Sequence, residues 1–169
     1  MKNNRLYLYY TIFLVFCLVG MTLPVKAISE EQKAGIKDHC ETIRESLKTV
    51  QKNDSRARVF LGAHYETILS KYITPLNIKL VENSMSATGL VENQNKVADT
   101  KTIFANDFIS YQKHLEELIA IDCKNEPDKF YEKLEKVRQK RATMEQDVLK
   151  MRNLISEHVK LVNGLKEKM

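Results

Sequence analysis

The sequence predicts an all-α protein, an elongated antiparallel three-helix bundle of coiled-coil character, with a four-helix bundle as the alternative. Three observations carry this. Apolar residues recur at alternating steps of four and three, the spacing that keeps one helix face towards its partners. The 169 residues include no Trp, five Gly and three Pro, so residues that break helices are scarce. Two start signals, at Ser29 and at Asn125, stand where the periodic stretches begin.

The first 27 residues are set apart from that pattern. Lys2 and Arg5 form a positive start, Leu6 to Leu23 carries no charge, Pro24 breaks the run, and Val25-Lys26-Ala27 offers small residues for a peptidase. That order predicts a signal peptide over 1–27. The rival is an uncleaved membrane anchor, for which about 18 uncharged residues is the lower limit. Cys17 follows the bulky Phe16 and is not expected to be lipidated. Removing this segment takes away Lys2, Arg5 and Lys26 and no acid, so the formal charge falls from +5 to +2. The basic balance belongs mostly to the signal, and nucleic acid is not expected as a partner. Residues 28–169 are one domain's worth, and the signal ahead of them predicts a periplasmic, cell-envelope or extracellular protein.

The elements follow in order. Ser29-Glu30-Glu31-Gln32 reads as a capping box opening a helix over about 29–81. Its seam runs Ile36, Cys40, Ile43, Leu47, Val50, Asp54, Ala57, Leu61. Asn53-Asp54-Ser55 is the place where a four-helix chain would turn. From Phe60 to Leu80 apolar residues cover a wide arc, which predicts burial on more than one side. Pro75 predicts a kink. Glu82 to Gly89 is polar and small, the best turn in the chain. A helix over 86–122 has Leu90, Val97, Phe104, Tyr111 and Leu118 at sevens, with Phe108 and Leu115 between them and Gln94 and Lys101 on the seam earlier. Asn125 caps, and Pro127 starts, a last helix over 126–168. Phe130, Leu134, Val137, Arg141, Met144, Val148, Met151, Ile155, His158, Val162, Leu165 and Met169 mark its seam.

Two cysteines remain outside the signal, and an even number in an oxidising compartment points to a disulfide. Register makes the case for pairing Cys40 with Cys123. If 29–81 is one helix, about 63 Å separates Cys40 from the first turn and about 60 Å separates that turn from Cys123. The two cysteines then lie at one height. A turn at Asn53 would separate them by roughly 18 Å.

The stretches Ala57-Arg58-Val59-Phe60-Leu61-Gly62, Ile73-Thr74-Pro75-Leu76-Asn77 and Asp122-Cys123-Lys124-Asn125-Glu126-Pro127 resemble those of exported bacterial all-helical proteins that carry no assigned activity. The resemblance implies export and a helical fold, and no chemistry.

Motifs for chemistry are sparse. The residues three before His39, His64, His114 and His158 are Ile36, Leu61, Tyr111 and Ile155, so the Glu-x-x-His pairs of di-metal bundles are missing. Gly35, Gly62, Gly89 and Gly164 are too scattered for a phosphate loop. No Gly-x-Ser-x-Gly elbow or Cys-x-x-Cys occurs. No catalytic residue, metal ligand or cofactor is expected. The basic run Lys129, Lys133, Lys136, Arg138, Lys140 and Arg141 is a candidate contact patch for an acidic protein partner or an anionic envelope component. Its bland reading is a solvated helix face with i,i+4 pairs. Arg141 and His158 fall on the seam, where polar residues either fix register or snorkel out. The expected function is therefore non-enzymatic: structural, adaptor or chaperone-like partner binding in the envelope, with a homo-oligomer allowed. The alternative is a ligand- or metal-binding bundle with Tyr65, Tyr72, Tyr111 and the histidines around a pocket.

Overall fold

The computed structural model describes residues 28–167, and the expected signal segment, 1–27, lies outside the described residues. Among those residues the structure is all-α, with four helices and no strand. The first is α1, Glu30–Asp38. The second is one helical stretch made of α2, Cys40–Thr67, a π-helical turn, Ile68–Ile73, and α3, Thr74–Glu82. The third is α4, Thr88–Ala120, and the fourth is α5, Pro127–Lys166.

The break between α1 and α2 is a single residue. His39 leaves helical geometry (φ −107°, ψ 16°), yet its N–H still donates to Gly35 O and its carbonyl accepts from Ile43 N–H. The four-helix alternative put its extra break at Asn53. There α2 runs on unbroken, because the heptad phase continues through Asp54 to Leu61 and a turn would throw that face out of register. The extra break falls at His39 instead.

Pro75 acts upstream of itself. It has no N–H to donate, and its ring crowds the carbonyl one turn back. The chain adjusts by widening: residues 68–73 form a π-helical turn in which Thr74 N–H reaches back to Leu69 O. Pro75 then sits in the first turn of α3, where a missing donor costs nothing. The expected kink is thus taken up as a π turn.

The first turn is tighter than expected. Met85 N–H donates to Leu80 O, Ser84 N–H donates to Val81 O, and Ser84 has φ 56°. This is a Schellman ending with Ser84 in the left-handed position usually given to Gly. Gly89 already lies inside α4. In the second turn Asn125 does not cap α5. Its amide donates to Asp122 Oδ2 (2.7 Å), and Asp122 Oδ1 accepts from the backbone N–H groups of Lys124 and Asn125. A turn built on Asp122 outcompetes the cap, and Pro127 opens α5 as expected.

Pairs of contacting residues set the directions. Glu117 meets Lys133 beside the turn, and Asn93 meets Leu154 far from it, so α4 and α5 run antiparallel. Their packing dominates the structure. The first stretch runs against α4 in the same sense: Arg44 meets Ile119, Asp54 meets Tyr111, Glu66 meets Lys101 and Asn77 meets Leu90. Leu69 and Ile73 of the π-helical turn, Val97 of α4 and Leu154 of α5 pack into one apolar cluster.

Two expected seams need correction. On α4 the buried line is Leu90, Asn93, Val97, Thr100, Phe104, with Gln94 and Lys101 off it. The early alternate positions step by three, not four, so polar Asn93 and Thr100 occupy the core. On the first stretch the wide apolar arc is not buried on more than one side: Val59, Phe60, Tyr72, Ile78 and Val81 are exposed. Ala57 is exposed as well, and no residue from 41 to 64 is fully buried.

Cys40 and Cys123 form a disulfide with their Cα atoms 5.6 Å apart, both buried. It joins the start of α2 to the α4–α5 turn and closes a loop spanning 83 positions. Chain entropy puts its contribution at about 4.5 kcal/mol, less if the unfolded chain keeps structure. Reduction should lower unfolding stability by a few kcal/mol, and Cys40→Ser should match reductant and add little to it. Hydrogen exchange should rise first at residues 41–64, ahead of α4 and α5. Denaturant titration and exchange with and without reductant measure both effects; equal exchange in the two states would contradict them.

Candidate functional site

Three polar assemblies interrupt the apolar packing. In the middle, Tyr111 Oη donates to Asp54 Oδ2 (2.7 Å) and Arg141 Nη2 donates to Asp54 Oδ1 (3.2 Å). One carboxylate on α2 thereby holds α4 and α5 together. Burial first, then the Asp54 bond, pushes the Tyr111 phenol well above its ordinary pKa, so it is a fixed donor. Arg141 keeps half its side chain in solvent, so it both snorkels and fixes register.

Next along the bundle, Asp147 of α5 is buried beside Asp107 of α4. Burial, then the charge and hydrogen bond of Asp107, raises the Asp147 pKa. Asp147 Oδ2 has no hydrogen-bond partner among the described residues.

The third assembly joins α4 to the last turns of α5. Asn93 Nδ2 donates to Leu154 O (3.1 Å), and Asn93 Oδ1 faces His158 Nδ1 (3.2 Å). His158 is 5% exposed, and burial holds its imidazole below the ordinary value. Its Nε2 has no partner among the described residues. The same ring lines a groove of about 300 Å³ between the π-helical turn and α5, walled by Ile68, Tyr72, Leu76, Ile155 and Val159. Across the first stretch, Asn77 donates to Leu90 O and Gln94 Oε1, and Gln94 donates to Thr74 Oγ1. This holds the start of α3 against α4 beside that groove.

The basic run is largely neutralised. Lys129 pairs with Glu126, Lys133 with Glu117, Lys136 with Glu132, Arg138 with Glu135 and Arg141 with Asp54. Of the tyrosines and histidines named from sequence, the structure brings only Tyr72 and His158 to one groove. Tyr65 and Tyr111 pack in the core, and His64 stacks on Phe60 at the surface. His114 lies by Glu117. Among the described residues no group of three or more His, Cys, Asp or Glu is placed to hold a metal ion. No helix among them is long and apolar enough to cross a membrane. Asn93 was missed from sequence because the seam was stepped by four; stepping by three from Leu90 finds it. No family model, curated protein or solved structure matches this chain.

His158 and Asp147 pull stability in opposite directions with pH. The folded pKa of His158 is depressed, so its contribution is present above the ordinary imidazole range and is lost as pH falls through the folded value. The folded pKa of Asp147 is raised, so its contribution is present below the ordinary carboxylate range and is lost as pH rises through the folded value. Asp147→Asn should stabilise by about 1 kcal/mol near pH 7 and by almost nothing near pH 3. His158→Gln should flatten the parent's loss of stability below about pH 6. Urea unfolding across pH reads both; an Asp147→Asn gain that is the same at both pH values would contradict the carboxyl assignment.

Proposed function

We propose that this chain is a non-enzymatic helical-bundle protein of the cell envelope that acts by binding, in an adaptor or chaperone-like role. The finer architecture that goes with this reading is a long antiparallel three-helix bundle. The observation that carries it is the apolar surface left open on the first stretch: Phe60 is 71% exposed and Val81 59%, with Val59 and Ile78 also in solvent. Single exposed apolar residues are ordinary; their recurrence along one helical stretch, at Val59 and Phe60 and again at Ile78 and Val81, is what supports a contact surface here. Export is supported by the charged start, apolar run and small-residue ending of 1–27, and a buried disulfide fits an oxidising compartment. The paired carboxylates along Lys129–Arg141 favour a solvated face there over an anionic contact.

A second reading, a ligand-binding bundle, is favoured by one observation, the groove beside His158. The first reading is tested by light scattering of a heat-aggregating client protein with the full, oxidised chain added at equal concentration. Scattering should fall severalfold, and Phe60→Ser with Val81→Ser, both on exposed positions, should abolish most of that effect. A double variant as effective as the parent, or a parent without effect, would overturn it. The envelope fraction of producing cells should contain a chain that begins at Ile28.

A further inference from the structure

We infer that the groove between the π-helical turn and the last turns of α5 binds a small, neutral, largely apolar molecule carrying one hydroxyl, whose O–H is donated to Nε2 of His158. The inference deepens the second, ligand-binding reading and rests on it.

The argument begins at Asn93. Its Nδ2 donates to the Leu154 carbonyl, which can only accept. The other end of that amide, Oδ1, therefore faces His158 Nδ1. An amide oxygen cannot donate, so Nδ1 carries the ring proton. In a neutral imidazole the remaining nitrogen is then a bare acceptor. Burial favours the neutral ring. Nε2 is thus a lone pair, buried and without a partner among the described residues. An acceptor left so loses the hydrogen bond it had in water, and an unpartnered buried group calls for an explanation.

The groove beside it says what could satisfy that lone pair. Ile68, Leu76, Ile155 and Val159 make its walls mostly hydrocarbon, with Tyr72 and Asn163 the polar side chains of the lining besides His158. A water held there would need two to four polar partners, and the walls offer few. A molecule with an apolar body and one donor matches both features. An anion would face a lone pair in an apolar wall, and a cation would find no counter-charge among the lining residues, so the molecule is neutral. The volume of about 300 Å³ is at the small end for ligand sites, enough for one or two fused rings. The π-helical turn supplies Ile68 and Tyr72 to the wall, and such turns recur at functional sites. Nε2 is itself buried, so the hydroxyl reaches it as lining side chains shift aside; Tyr72 at 67% exposed and Val159 at 54% are the lining residues least held by packing.

The test uses the full chain with its disulfide intact and two probes, 1-naphthol and 1-methoxynaphthalene, which differ in the hydroxyl proton. 1-Naphthol should bind saturably at one per chain, about tenfold or more tighter than the ether. In ¹⁵N NMR of labelled histidine, the Nε2 resonance of His158 should move with 1-naphthol and stay with the ether. Val159→Arg, an exposed position on the rim, should remove binding of both probes. His158→Phe should bind the two alike; should that variant fail to fold, the probe comparison, the NMR shift and Val159→Arg still decide. Equal affinities in the parent would overturn the hydroxyl assignment and leave the ligand-binding reading standing. No saturable binding of either probe would overturn the inference altogether, while the scattering experiment, whose variants lie outside the groove, judges the adaptor or chaperone-like reading by itself.

Discussion

The covalent link between Cys40 and Cys123 is the constraint on which the arrangement of the first helical stretch depends. The hairpin of α4 and α5 holds itself together through a long buried seam: Val97, Tyr111, Leu115 and Leu118 on one side, Phe130 and Met151 on the other. The first stretch has no comparable seam over 41–64. Ile43, Leu47 and Val50 are only half-buried, so each contributes part of the roughly 1.5–3 kcal/mol that full burial would give. α2 is held by the disulfide at one end, by Tyr65 and, just past it, Leu69 of the π-helical turn at the other, and by polar contacts between. Those contacts run from Arg44 to Ile119 and from Asp54 to Tyr111 and Arg141. Polar contacts of this kind specify position more than they stabilise. The bridge restricts how far this segment can drift when they open, which is why the closed loop matters more here than it would in a well-packed bundle.

Much of this was legible in the sequence, because heptad spacing is a direct readout of which face is covered. The three periodic stretches, the two turns and the cysteine register all follow from counting. What was not legible concerns where packing decides between equivalent choices. Gln94 and Asn93 are both polar and both one turn from Leu90; which one enters the core depends on the height of Leu154, a residue 61 positions away. The arc from Phe60 to Leu80 looked like a buried segment because hydrophobicity reports affinity for an apolar neighbour and cannot say whether that neighbour belongs to the same chain. The groove at His158 was hidden for a related reason. The seam placed His158 inward, but its meaning comes from Asn93, whose position the seam had missed.

The polar assemblies differ in how completely they close. At Asp54 both carboxylate oxygens have partners, from Tyr111 and Arg141, and the node is finished within the chain. At His158 one ring nitrogen is satisfied and the other is not. The physical difference is the neighbour available. Tyr111 brings a donor into a narrow contact, whereas the π-helical turn puts Ile68, Tyr72 and Ile73 opposite α5 and leaves a groove lined by hydrocarbon. Asn77 Oδ1, Gln112 Nε2, His114 Nδ1 and Asp147 Oδ2 are also buried without a hydrogen-bond partner among the described residues; His158 differs from them in belonging to the lining of an apolar groove, and a local rule broken at such a place is where function is expected.

The two ends of the bundle are consequently built on different principles. Near Cys40 and Cys123 the chain is fixed by a covalent bond and a turn in which Asp122 accepts several donors. Near His158 it is fixed by Asn77, Gln94 and Asn93, side-chain amides whose bonds can exchange without breaking the chain. Local opening has its lowest cost where few apolar contacts must separate. The exposed Tyr72, Ile78 and Val81 place that condition at the turn between α3 and α4, and the staple at the opposite end keeps such opening from spreading into loss of register. A binding surface that must admit a guest between helices needs this combination, one end that yields and one that does not.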